Sequence, residues 1–139
     1  MASWINDVQS KILTIVSYKG KKKYQEKFPN INYTTDSIGD GTTNYPTIYL
    51  NFLPSVGLGQ TFDTSDIGGY RCVVQVEVTV SNDTEQGIEL GKDIIWFTLE
   101  TLKKYGFLIN TPQDVSMDKS NRRFVARCER TFGAGDFIG

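Results

Sequence analysis

The chain has 139 residues, 39% hydrophobic and 22% charged, the size and make-up of one folded domain. Its 15 basic and 16 acidic residues leave a formal charge of -1, so global charge singles out no polyanionic partner, and the lack of histidine removes Ser-His-Asp and Cys-His catalysis. Residues Met1 to Lys11 lack the basic start and apolar block of a signal peptide, and no apolar run approaches the roughly 20 residues that cross a bilayer, so a soluble protein made inside the cell is expected, with no membrane partner.

Ser3 is placed to cap a first helix over about residues 4–18, in which Trp4, Ile5, Val8, Ile12, Ile15 and Val16 recur near the helical period and Asp7 favours the dipole. The cluster Lys19 to Lys23, interrupted by Gly20, then opens a stretch rich in Asn, Thr, Asp and Gly, which reads as a long loop over about 19–46. Thr47 to Leu53 alternates as a strand that Pro54 ends. A glycine-rich segment over about 54–70 follows and predicts the long tip of an antiparallel hairpin. Its apolar residues Val56, Leu58, Phe62 and Ile67 are candidates to dock either on a neighbouring subunit or on another protein of an assembly.

The returning strand, Arg71 to Ser81, places Cys72, Val74, Val76, Val78 and Val80 on one face and Arg71, Val73, Gln75, Glu77 and Thr79 on the other. Asp83 and Gln86 form a capping-box variant that starts a helix over about 84–105, with Ile88, Ile95, Leu99 and Leu102 as its apolar stripe and Gly106 as its left-handed stop. A short apolar piece, Phe107 to Ile109, a turn at Thr111-Pro112 and a polar loop lead to a last strand near Arg122 to Phe132. Its core face is Phe124, Ala126 and Cys128. Gly133 to Gly139 read as a flexible tail carrying two candidate anchors, Phe137 and Ile138.

The pattern predicts an α+β fold: a single domain with a mostly antiparallel sheet and two principal helices packed on one face. Cys72 and Cys128 are too far apart in sequence for a zinc or redox pair and are expected to be buried free thiols. Gly57-Leu58-Gly59 lacks the third glycine and the helix of a nucleotide-binding turn, and Asp36, Asp40, Asp63 and Asp66 miss the spacing of a calcium loop. No catalytic, cofactor-binding or metal-binding residue is expected. Arg123 and Arg127 share a strand face and form a local positive stripe. With the Lys19 to Lys23 cluster and the second basic group, Lys119 to Arg130, they leave a nucleic-acid-binding protein as the alternative function.

In the order of its elements, and in the pieces VQVEVTVSNDTEQGIELGKDI, LETLKKYGF and RRFVARCERTF, the chain resembles the tail terminator (tail completion) proteins of long-tailed bacteriophages. The resemblance implies a structural protein with no enzymatic role, present in the virion tail or neck and, during assembly, in the host cytoplasm. It implies a homo-oligomeric ring, a hexamer, that caps the tail tube protein, stops its polymerisation and joins a head-completion or connector protein. The tail tube would be the other protein on which the hairpin tip could dock. DNA would be passing cargo, with Arg123 and Arg127 facing its channel.

Overall fold

Strand β4, Gly69–Ser81, owes its place at the centre of the molecule to its side-chain alternation: Cys72, Val74, Val76, Val78 and Val80 are all buried on one face. The computed structural model describes residues 3–28, 31–35, 46–54, 57–58, 69–81, 85–116 and 121–133. Among them the element order is α1 (Ser3–Tyr24), β1 (Asn32–Thr34), β2 (Thr47–Leu53), β3 (Gly57–Leu58), β4, α2 (Glu85–Lys104), β5 (Leu108–Ile109), β6 (Gln113–Ser116) and β7 (Asn121–Gly133). The strands form one sheet in the order β1-β2-β4-β7-β5, with β3 beside β4 and β6 beside β7.

The sheet is antiparallel except where β1 meets β2. On one side of β4 the register runs from Thr47↔Thr79 to Leu53↔Val73, and on the other from Gly69↔Gly133 to Ser81↔Asn121. This register carries Ile48, Leu50 and Phe52 of β2 and Phe124, Ala126 and Cys128 of β7 onto the valine face. Both helices cover that face: Val8, Ile12 and Val16 of α1 and Ile94, Ile95, Leu99 and Leu102 of α2 join the same buried cluster. Transfer of each such side chain from water contributes about 1.5–3 kcal/mol, which makes this layer the principal source of stability. The α+β fold with two helices on one face is thus as the alternation requires.

The helices touch where Tyr24 donates a hydrogen bond to Asp93 Oδ2 at 2.6 Å and stacks edge-on against Phe97, ring centroids 5.7 Å apart. Helix α2 ends as its sequence predicts. Gly106 has φ +91°, Phe107 N donates to Leu102 O and Gly106 N donates to Lys103 O, the paired bonds of a Schellman stop. Arg130, arriving on β7, donates to Tyr105 O at 2.6 Å and adds a cation to that helix end.

Three expectations change. The first helix, expected over 4–18, continues through Gly20 and Lys21 to Tyr24, so the loop expected over 19–46 loses its first residues to α1. Lys21, Lys22 and Lys23 occupy the last turn, where positive charge suits the helix dipole. Within the same expected loop, Asn32–Thr34 forms β1 and pairs parallel with Thr47–Tyr49. The polar loop after Pro112 contains β6, held to β7 from Gln113↔Val125 to Ser116↔Arg122. Asp83 and the side chains of Gln86 and Ile88 lie outside the described residues, as does most of the hairpin tip.

Candidate functional site

The helices leave the opposite face of the sheet to the odd-numbered residues of β2, β4 and β7, which stand in rows across the strands. One row is Thr47, Thr79 and Arg123, the next Tyr49, Glu77 and Val125, then Asn51, Gln75 and Arg127, then Leu53, Val73 and Glu129. This is not an ordinary solvated face. Thr47, Glu77 and Thr79 are buried, and Tyr49, Leu53, Val73 and Val125 are half-buried.

Charge on this face is arranged as diagonal pairs. Arg123 Nη1 donates to Glu77 Oε1, and Arg71 donates through Nε and Nη2 to Glu129 Oε2 at 2.9 and 2.6 Å. The Glu77 side chain is only 6% exposed against 32% for Arg123, so the carboxylate depends on that guanidinium for its compensation. Beside this pair, Arg123 Nε and Thr79 Oγ1, on directly opposed residues, are both buried without a hydrogen-bond partner. On the helix side of the same strand, Arg122 forks onto both oxygens of Asp114 and holds that carboxyl below its ordinary value.

Arg127 differs from the other arginines. Its Nε donates to Gln75 Oε1 at 3.0 Å, and among the described residues no carboxylate meets its Nη atoms. It stands between two shallow depressions, one shared with Gln75, Asn110, Thr111 and Gln113, the other with Val73, Leu108 and Glu129. Leu108 is 73% exposed there.

A larger cleft of about 630 Å³ lies between the end of α1 and the start of α2, lined by Lys23, Tyr24, Lys27, Phe28, Leu90 and Asp93. Lys23 Nζ sits 4.4 Å from the centre of the Phe97 ring, a cation–π contact that fixes one lysine of the basic cluster against the protein. Both thiols are buried, and burial pushes Cys72 up to about 11 and Cys128 up to about 12, the opposite of an activated nucleophile. Among the described residues no group of acidic, cysteine or histidine side chains is arranged to hold a metal ion, and no helix is long and apolar enough to cross a membrane.

The sequence-predicted residues are thus distributed unevenly. Arg123 and Arg127 share the expected face, but Glu77 neutralises the first, so the two do not form a continuous positive stripe. Leu58 is placed by its backbone, opposite Gly69. Val56, Phe62, Ile67, Phe137 and Ile138 lie outside the described residues. Sequence reading missed Asn110, Thr111 and Gln113, which β5 and β6 bring to Arg127; the signal available was the alternation of Gln113 to Ser116 beside a proline turn. In comparison with known proteins, no family model matches the chain and no curated protein matches it in sequence, so a functional reading rests on the sheet face itself.

Proposed function

We propose that the protein is a structural subunit of a phage virion, a tail terminator that assembles as a ring, hexameric by the family pattern, on the end of the tail tube. In that role it stops tube polymerisation and offers its free side to a head-completion or connector protein. It works in the tail or neck of the particle after assembly in the host cytoplasm. The reading assigns it no catalysis, and DNA passes it as cargo.

The observation that carries this reading is the sheet face without helices. A face left to water alone on an antiparallel sheet alternates cleanly to polar residues, whereas this one mixes half-buried Leu53, Val73 and Val125 with paired charges. Such a mixture suits a surface that meets another protein, with apolar contact at its centre and fixed charges setting register. The order of elements and the three sequence pieces named above add the phage assignment.

The alternative, nucleic-acid binding, needs free cations on β7. Glu77, Asp114 and the carbonyl of Tyr105 already engage three of its four arginines. Light scattering after gel filtration separates the two readings. Six chains of 15.6 kDa give a particle of roughly 94 kDa, and its addition to tail tubes is expected to cap their ends in negative-stain images. A monomer that ignores tube ends and binds DNA with a steep salt dependence rejects the ring in favour of the alternative.

A further inference from the structure

We propose that the Arg127 depression is a receptor for the segment Asp136-Phe137-Ile138 of a second copy of this chain, with the Asp136 carboxylate on the Arg127 guanidinium. The proposal rests on the ring reading and names the contact that links neighbouring subunits.

The chain has five arginines, and four are committed: Arg71 to Glu129, Arg122 to Asp114, Arg123 to Glu77 and Arg130 to the carbonyl of Tyr105. Among the described residues Arg127 is held only at Nε, by Gln75, which orients the guanidinium and leaves Nη1 and Nη2 as a fork of donors. On one side its depression is lined by neutral hydrogen-bonding groups, Asn110, Thr111 and Gln113, and no carboxylate lines it there. On the other side the nearest acid, Glu129, is turned to Arg71. This surrounding suits one singly charged carboxylate. A doubly charged phosphate would meet Glu129 with about twice the like-charge repulsion of a carboxylate.

The rest of the site is apolar. Leu108 stands 73% exposed next to half-buried Val73 in the second depression, a bed for a hydrophobic residue beside the carboxylate. The occupant must therefore supply an acid adjacent to apolar side chains. Outside the helices, Asp136 is the one acidic residue of the sequence followed directly by two large apolar residues, Phe137 and Ile138.

Chain reach, taken with the ring reading, makes the contact intermolecular. Asp136 lies three residues beyond Gly133, the end of β7, and spans at most about 11 Å from it. Arg127 lies six residues back along the same strand, about 20 Å away. A chain leaving β7 at Gly133 must reverse before it approaches its own Arg127, and only fully extended side chains would close the remaining gap of roughly 9 Å, so on the ring reading the carboxylate comes from a neighbour.

The test is a charge swap read by native mass spectrometry and light scattering on the full chain, over a range of concentrations. The intact protein is expected as a ring. Arg127→Glu and Asp136→Arg are each expected to raise the concentration of half-assembly at least tenfold with melting temperature unchanged, and Arg127→Gln to act in the same direction more weakly. The double variant Arg127→Glu/Asp136→Arg is expected to assemble again. An intact ring in Arg127→Glu, or a double variant no better than the singles, overturns the pairing while leaving the ring reading in place. An intact protein that is monomeric at every concentration removes both.

Discussion

The phenol of Tyr33 in β1 lies over the backbone of Gly20 in α1, so closely that a Cβ on Gly20 would stand 1.6 Å from the Tyr33 hydroxyl oxygen. Gly20 is therefore a seat, and the parallel edge strand locks onto the first helix through it. In an exposed helix interior, replacing glycine by alanine stabilises by about 1 kcal/mol. Here Gly20→Ala is expected to destabilise by about 1–3 kcal/mol in urea unfolding, because the ring must be displaced from a packed position. A gain in stability would show that Tyr33 does not occupy this seat.

The same contact has a second consequence. The Tyr33 hydroxyl is buried without a hydrogen-bond partner, and desolvation pushes its pKa well above the ordinary tyrosine value. Tyr33→Phe removes an unsatisfied polar group without changing the packing, and is expected to raise stability by about 1 kcal/mol. A loss of that size would mean that the hydroxyl finds a partner in solution.

Val76 of β4 lies fully buried between Leu50 and Ala126 in the sheet register. Val76→Ala is expected to cost about 1–3 kcal/mol through lost burial and the cavity left behind. The check is a thermal melt, and an unchanged midpoint would contradict the placement of the core.

The buried thiols make stability fall on the alkaline side. Cys72 is raised from 9.0 to about 11 and Cys128 from 9.0 to about 12, in each case first by burial. Between 9 and 11 the folded chain keeps protons that the unfolded chain releases, so rising pH favours unfolding there. Urea midpoints are expected to hold up to about pH 8.5 and then drop, and a thiol reagent is expected to label both cysteines only after denaturation. Rapid labelling of the native protein would contradict their burial.

Glu77 and Arg123 are not equivalent partners. Arg123→Ala strands a carboxylate whose side chain is only 6% exposed and is expected to cost about 2–4 kcal/mol, whereas Glu77→Ala leaves behind an arginine side chain that is 32% exposed and is expected to cost less. Denaturant titrations of the two variants check the order. The reverse order would place the buried member of the pair wrongly.

The central strands were legible because each carries a strict two-residue alternation: the valines of β4 and the Phe124, Ala126 and Cys128 series of β7 specify their own core face. Helix α2 was legible at its C-terminal end because Gly106 and the lysines before it act locally. What escaped was decided at a distance. Gly20 followed by three lysines has the local signature of a helix stop, and only Tyr33 shows that the glycine serves packing. Strand β1 is only Asn32, Tyr33 and Thr34, whose strand character comes from β2, and β6 likewise borrows its extended form from β7. The positive stripe was misjudged for the same reason, since the partner that neutralises Arg123 is forty-six residues earlier in the chain.

Every described residue of β4 is matched across the sheet by a residue of β7, from Gly69↔Gly133 to Ser81↔Asn121, with α2, β5 and β6 intervening in the chain. A ribosome making this protein therefore completes the middle of the sheet only when residue 133 has cleared the exit tunnel. Until then β4 carries a buried-type valine face and an unpaired edge together, the combination most prone to pairing with another nascent chain. Helix α2, translated immediately after β4, can join α1 in covering those valines in the interval. Its early docking would guard the growing chain before the last strand arrives.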